Sequence, residues 1–289
     1  MTTQDVLTGT IIKGVGGQYT VDTAHGQHIC NARGLFRKKK ITPIVGDKVE
    51  IENSTLMTIL PRTNELKRPK VSNVDQVLIV LSASAPDLHF TMLDRYLMQA
   101  EYENISAAIC INKTDLDKDI PNQVKEIYEP IPYQVFLVSI NDNTGLEALD
   151  GYLLKKTTVL AGPSGVGKSS LINRLAKSNL QTGAVSNKIG RGKHTTRHTE
   201  FIPLTKPLTG CSTQPAGYVI DTPGFSSLDA PNIPKIERAA LFKEFTPYLG
   251  MCKFRDCLHI SEAGCVVKEH VGDTITTMRY NRYLEWICD

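Results

Sequence analysis

The sequence lacks any apolar run of about 18 residues, the length a helix needs to cross a bilayer, so no membrane span is expected. Its first residues, Met1-Thr2-Thr3-Gln4-Asp5, have no basic start followed by an apolar stretch, so no signal peptide is expected. Excess charge is nearly missing. A formal net charge of +3 over 289 residues says little about partners and moves attention to local clusters. The seven cysteines are an odd number with no export signal, which argues against a disulfide framework and for a reducing cytoplasm. Internal repeats and low-complexity tracts are absent too. With 41% hydrophobic and 22% charged residues, the composition is that of an ordinary soluble protein, long enough for two or three domains.

Two composition changes suggest three domains, at 1–65, 66–229 and 230–289. The first holds short β-like runs (Thr10–Ile12, Gln18–Val21, Gln27–Cys30, Asp47–Ile51) punctuated by glycines, which predicts a small barrel of the OB-fold kind. Pro61 to Pro69 reads as a linker. The middle domain alternates helical patterns with continuous apolar runs: Val77–Leu81, Ala107–Ile111, Val135–Val138, Val159–Ala161 and Tyr218–Ile220. Such runs predict strands buried on both faces, hence an α/β fold with a parallel sheet. The last domain is helical in pattern, apart from the stretch Cys252–Cys265. Asp273 or Thr274 is placed to cap a final helix presenting Ile275, Met278, Tyr283 and Trp286.

Gly162-Pro163-Ser164-Gly165-Val166-Gly167-Lys168-Ser169, with Ser170 next, matches the phosphate-loop pattern G-x-x-x-x-G-K-[ST]. A strand precedes it, and Leu171, Ile172 and Leu175 follow at helical spacing. Small residues let backbone N–H groups curl around phosphate oxygens at a helix N-terminus. Lys168 is placed to reach the outer phosphates and Ser169 to bind magnesium. The bland alternative is a glycine turn before an ordinary helix.

Asn112-Lys113-Thr114-Asp115 is N-K-x-D, the guanine-specificity motif of GTPases. A carboxylate accepts from both N1–H and the exocyclic amine of guanine, and adenine presents neither pattern. Alone the motif is weak, since surface Asn-Lys turns occur; beside a phosphate loop it is strong. Ser139-Ile140-Asn141 ends the next strand in the position of the weaker base-contacting loop, although Ile140 is larger than the usual residue there. Asp221-Thr222-Pro223-Gly224 matches D-x-x-G, with Asp221 expected to hold magnesium through water and the Gly224 N–H to face the γ-phosphate. Thr195 or Thr196 is expected to meet magnesium directly, and Thr196 is the choice. The base reader here precedes the phosphate loop, the reverse of ordinary GTPases. A sheet cut between D-x-x-G and N-K-x-D accounts for this, with Gly145 to Lys156 as the joining segment.

This arrangement resembles the family of ribosome small-subunit-dependent GTPases, the RsgA (YjeQ) type, over essentially the whole chain. The resemblance implies an OB-like barrel, a circularly permuted GTPase domain and a C-terminal zinc domain. It also implies hydrolysis of GTP to GDP and phosphate in late maturation of the 30S subunit, with 16S rRNA as a contact and a cytoplasmic monomer. Cys252, Cys257, His259 and Cys265 form C-x₄-C-x-H-x₅-C. Three thiolates and an imidazole complete a closed tetrahedral site, so one structural zinc is expected; reduced core cysteines near a chance histidine are the alternative, and His270 is a rival ligand.

Phe225 stands where many GTPases carry a water-orienting glutamine, which predicts slow hydrolysis without a partner. His194 lies two residues before Thr196 and resembles the family's catalytic switch histidine; a solvated loop histidine is the alternative. Acidic residues are missing from Gly151 through Thr199, where Lys188, Arg191, Lys193 and Arg197 fall. Arg33, Arg37, Lys38, Lys39 and Lys40 form a second basic cluster around Phe36. Charge with a stacking aromatic suits RNA, and a solvated basic surface is the alternative. A second reading from another class is an RNA-binding scaffold with structurally bound GTP and negligible turnover.

Overall fold

The computed structural model describes residues 6–38, 40–67, 69–176, 199–204, 217–221 and 233–288, the side chains of Arg37 and Asp221 excepted. Among the described residues no helix is long and apolar enough to cross a membrane. The chain divides into two compact units, Met1–Val77 with Glu147–Ser226, and Leu78–Leu146 with Ser227–Asp289.

The first unit begins with a closed barrel of β1 (Leu7–Val15), β2 (Gln18–Thr23), β3 (Gly26–Ala32), β4 (Lys48–Glu52) and β5 (Thr55–Ile59), in the order β1-β2-β3-β5-β4. Gly16 and Gly17 have φ of 60° and 86°, so they turn β1 into β2 in two residues with the twist a hairpin needs. Closure comes from β3 running parallel to β5, with Asn31 opposite Thr55, and from β1 running antiparallel to β4. Ile11, Val21, Cys30, Val49 and Leu56 fill the interior with no exposed surface. A short helix, α1 (Gly34–Lys38), follows β3. Its Phe36 is buried, so it packs into the unit and is not offered for stacking on bases.

The stretch Pro61–Pro69 is not a free linker. It contains β6 (Glu65–Lys67), paired antiparallel with β7 (Lys70–Ser72). The cause is Asp47, which has no exposed surface. A buried carboxylate must be paired. Asp47 accepts from the Arg62 guanidinium at 2.7 and 2.8 Å, the Ser72 hydroxyl at 2.6 Å and the Ile44 N–H at 2.9 Å. Gly46 (φ 95°) lies so near this hairpin that a Cβ there would sit 2.0 Å from the Ser72 carbonyl oxygen.

The same unit holds α4 (Leu146–Leu153) from Glu147 onward, β11 (Thr157–Ala161), α5 (Lys168–Ala176), β12 (Phe201–Pro203) and β13 (Tyr218–Asp221). β11 and β13 are parallel, as the apolar runs predict, but β12 is an antiparallel edge strand that no such run announces. The Tyr218 hydroxyl donates to Asp22 at 2.8 Å, and Lys13 pairs with Glu200 at 2.8 Å, which fastens the barrel to β12 and β13.

The second unit carries most of β8 (Gln76–Ser82), with α2 (Phe90–Tyr102), β9 (Ser106–Asn112), α3 (Asp119–Tyr128) and β10 (Gln134–Leu137). β10 runs parallel to β9, and β8 is buried along its whole length. Here the strands follow the order β10-β9-β8, and those of the first unit the order β11-β13-β12. The C-terminal part adds α6 (Lys235–Arg238), two 3₁₀ turns, α7 (Val266–Glu269) and α8 (Thr277–Cys288) around Phe242, Phe245 and Tyr283. Phe245 and Tyr283 meet edge to face at 5.0 Å, a favoured aromatic arrangement. Ile275, Tyr283 and Trp286 are buried as predicted, whereas Met278 is exposed and Arg279 and Tyr280 take the inward face. Thr276, rather than Asp273 or Thr274, accepts an N–H at the start of α8, from Arg279 at 3.4 Å.

Candidate nucleotide loops and metal centre

In the first unit, β11 ends in a loop whose Gly162, Gly165 and Gly167 have φ of 134°, 87° and 97°. L side chains avoid these conformations, so the glycines are a backbone requirement. Val166 is buried and anchors the loop, while Leu171, Ile172 and Leu175 hold α5 on the core. Lys168 donates to the carbonyls of Gly162 and Pro163, both at 2.7 Å, so its ammonium is kept against the loop. Ser169 and Ser170 share the first turn of α5, whose N-terminus carries the positive end of the helix dipole. No acidic residue sits in that turn. The arrangement can receive an anion.

In the second unit, β9 delivers Asn112, buried, and then Lys113 in a left-handed conformation with φ 61°. The Lys113 ammonium donates to the Ala85 carbonyl, and the Thr114 N–H donates to Val138 at 3.3 Å. Asp115 is exposed and accepts from the Asn141 amide at 3.0 Å. The Ser139 hydroxyl and then the Asn141 amide hold its carboxyl below the ordinary carboxylate range. Ser139 is itself buried, and its N–H donates to Thr144 at 3.1 Å. Thus the two predicted base-contacting segments, 112–115 and 139–141, meet around one ionised carboxylate, with half-buried Ile140 between the two residues that touch it.

The predicted metal ligands also come together. The ligand atoms of Cys252, Cys257, His259 and Cys265 all lie within 4.8 Å of one another, so the cluster could hold a metal ion. The His259 Nδ1 is 3.6, 3.5 and 3.3 Å from the sulfurs of Cys252, Cys257 and Cys265, and the Cys252 and Cys265 sulfurs are 4.0 Å apart. Tetrahedral bonds of about 2.3 Å to sulfur and about 2.0 Å to nitrogen require edges of about 3.8 Å and about 3.5 Å. Donor set and edges therefore fit. Burial pushes the Cys257 thiol up to about 12, raises Cys265 and lowers His259, so a cation binding here displaces thiol protons. His270 is elsewhere, stacked on Tyr248 at 4.1 Å.

Three side chains that mould this loop carry no motif. Glu262 accepts from the N–H groups of Leu258, Ile260 and Ser261. Tyr280 donates to the His259 carbonyl at 2.8 Å and Tyr283 to that of Leu258 at 2.6 Å. Desolvation would raise the Glu262 pKa, but the backbone N–H groups hold it at about 2. This contribution is complete above the unfolded glutamate value of about 4.3 and is lost as pH falls toward about 2. The only sequence signal was a carboxylate inside the predicted metal loop.

The side chain of Asp221, at the end of β13, and the predicted residues His194, Thr196, Gly224 and Phe225 lie outside the described residues. So do Lys188, Arg191, Lys193, Arg197, Lys39 and Cys211. Arg33, Lys38 and Lys40 are exposed on the barrel unit, with Leu35 and Ile41 beside them in sequence and also exposed.

The RsgA GTPase family model matches residues 59–231, and the RsgA N-terminal domain model matches residues 8–57. A relative from Alkaliphilus metalliredigens, named small ribosomal subunit biogenesis GTPase RsgA, is 45% identical, with 96% of each chain covered. A relative of the same name from Ruminiclostridium cellulolyticum is 42% identical over 96% of this chain and 92% of its own. Among solved structures, YloQ, described as a circularly permuted GTPase, matches with a TM-score of 0.79 and 38% identity over 98% of this chain and 94% of its own. YjeQ from Thermotoga maritima matches with a TM-score of 0.79 and 32% identity over 98% of both chains. With the barrel, the phosphate-loop sheet in rotated order and the Cys/His cluster in place, the chain belongs to the RsgA GTPase family.

Proposed function

We propose that this chain is a GTP hydrolase that binds the small (30S) ribosomal subunit and acts in its late maturation, with turnover stimulated by that subunit. The observation that carries the guanine reading is the Asp115 carboxylate, ionised and positioned by Ser139 and Asn141. The ribosomal reading rests on the names of relatives aligned over 96% of the chain. Those names call the relatives GTPases, which favours a hydrolase over a scaffold that merely stores GTP.

In this reading a single GTP lies with its base on residues 112–115 and 139–141 and its phosphates on residues 162–170. Asn112 and Thr114 support the base loop, and Asp115 accepts from the guanine N1–H and amine. The backbone from Gly162 to Gly167 faces the phosphates, Lys168 neutralises the outer ones, and the Gly224 N–H senses the γ-phosphate. Ser169, Thr196 and, through water, Asp221 would hold magnesium, which supplies charge neutralisation during phosphoryl transfer. His194 orients the attacking water in place of the glutamine that Phe225 replaces. The cysteine-histidine cluster holds one structural zinc. The working modules follow 1–65, 66–229 and 230–289, the basic clusters contact 16S rRNA, and the protein acts as a cytoplasmic monomer.

GTP turnover measured with small subunits, with large subunits and alone tests the reading. A slow basal rate raised only by small subunits is expected. Equal rates in all three arms would refute it. His194→Ala should retain GTP affinity and lose the stimulated rate; a fully stimulated variant removes His194 from the mechanism.

A further inference from the structure

We propose that Glu262 is a positioning residue for the metal centre, acting through the backbone of His259; this rests on the reading that the cluster holds zinc. His259 has φ 58°, a left-handed conformation that a non-glycine residue keeps only when its surroundings impose it. That conformation accompanies the convergence of Nδ1 on three sulfurs at 3.3 to 3.6 Å. The surroundings that impose it are on both sides of the residue. One Glu262 oxygen accepts the Leu258 N–H at 2.8 Å, before the histidine. The other accepts the Ile260 and Ser261 N–H groups at 2.8 and 3.0 Å, after it. Tyr280 donates to the His259 carbonyl at 2.8 Å. The peptide after His259 is held by Glu262 and Tyr280, and the peptide before it by Tyr283, which donates to the Leu258 carbonyl at 2.6 Å, so the ligand is aimed whether or not an ion is bound. Without the carboxylate, three N–H groups lose their acceptor, His259 is free to relax to φ < 0, and its ring leaves the sulfurs.

Groups that hold a metal ligand in place in this way typically change metal affinity by about 10- to 100-fold. Glu262→Ala should therefore speed zinc release to a chromogenic chelator by roughly that factor. Glu262→Gln keeps one accepting oxygen but turns an amide toward donors, so it should release at an intermediate rate; it also serves if the alanine variant folds poorly. Cobalt substituted for zinc should show altered visible bands in both variants, because the imidazole is re-aimed. Ile275→Val trims the buried core of the same module without removing any hydrogen bond of the loop, and should leave release and the cobalt spectrum unchanged. Release and spectra like the wild type in both Glu262 variants would overturn the positioning role alone. Faster release from Ile275→Val to the same degree would reduce Glu262 to general stability and also overturn it. A wild-type chain that holds no zinc would overturn the zinc reading and this inference together.

Discussion

Asp115→Asn is expected to exchange GTP for XTP. Guanine offers two donors to the carboxylate, N1–H and the amine on C2, whereas xanthine keeps N1–H and carries a carbonyl on C2. An asparagine amide accepts from the first and donates to the second. Hydrogen bonds to a charged acceptor contribute about 1.5–3 kcal/mol each, and about 1.4 kcal/mol is a factor of ten. GTP affinity should therefore fall by roughly 10²- to 10⁴-fold, while XTP binds the variant about as well as GTP binds the wild type. The substitution is structurally mild, because Asp115 is exposed and Asn141 can still donate to the remaining carbonyl oxygen. Competition of GTP and XTP against a fluorescent nucleotide checks it. Unchanged GTP affinity in the variant would remove Asp115 from the base site.

The second large effect concerns stability. Arg279 has no exposed surface, and its guanidinium donates to Glu244 at 2.7 Å and to Asp94 at 2.5 Å. Tyr128 donates to the same Asp94 oxygen at 2.5 Å, and the Phe242 ring lies 4.7 Å from the guanidinium. Burial alone would lower the arginine's pKa, but the carboxylates of Asp94 and Glu244 outweigh it, so the group stays charged. The cluster joins α2, α3 and α8, and so fastens the cysteine-histidine module to the part of the same unit that carries Asn112–Asp115. Arg279→Leu leaves buried Glu244 without its counter-ion and buried Asp94 with only Arg282 at 3.9 Å, at a cost of about 3–5 kcal/mol. Replacing all three partners (Asp94→Leu, Glu244→Leu, Arg279→Leu) should recover much of that loss, because no uncompensated charge remains. Denaturant unfolding of the single and triple variants measures both. A single variant within about 1 kcal/mol of wild type would show that water reaches the cluster and screens it.

What was legible in the sequence is what depends on neighbours along the chain. Val77–Leu81 and Ala107–Ile111 announce buried strands because every residue is apolar. The phosphate loop is legible because glycines must supply positive φ between a strand and a helix. The metal cluster is legible because the spacing of its four ligands is short. What was hidden depends on partners far away in sequence. Asp94, Glu244 and Arg279 each look like ordinary charged surface positions until α8 folds against α2. The β6–β7 hairpin has Pro69 in its turn and is specified by Asp47, next to barrel strand β4. Phe36 sits in a basic run, yet its ring is buried, so composition alone misplaced it. β12 has three residues and ends on Pro203, too short to show a period.

The central claim is that two loops in rotated sequence order serve one guanine nucleotide, and XTP binding by the Asp115→Asn chain tests it most directly when Lys168→Ala is added. Lys168 sits on the phosphate loop against the carbonyls of Gly162 and Pro163, far in sequence from the base reader. If both loops hold the same molecule, the double variant should bind XTP about 10- to 100-fold more weakly than Asp115→Asn alone, the loss of one charged hydrogen bond to phosphate. XTP affinity that ignores Lys168 would contradict the account, because the base and the phosphates would then belong to different sites.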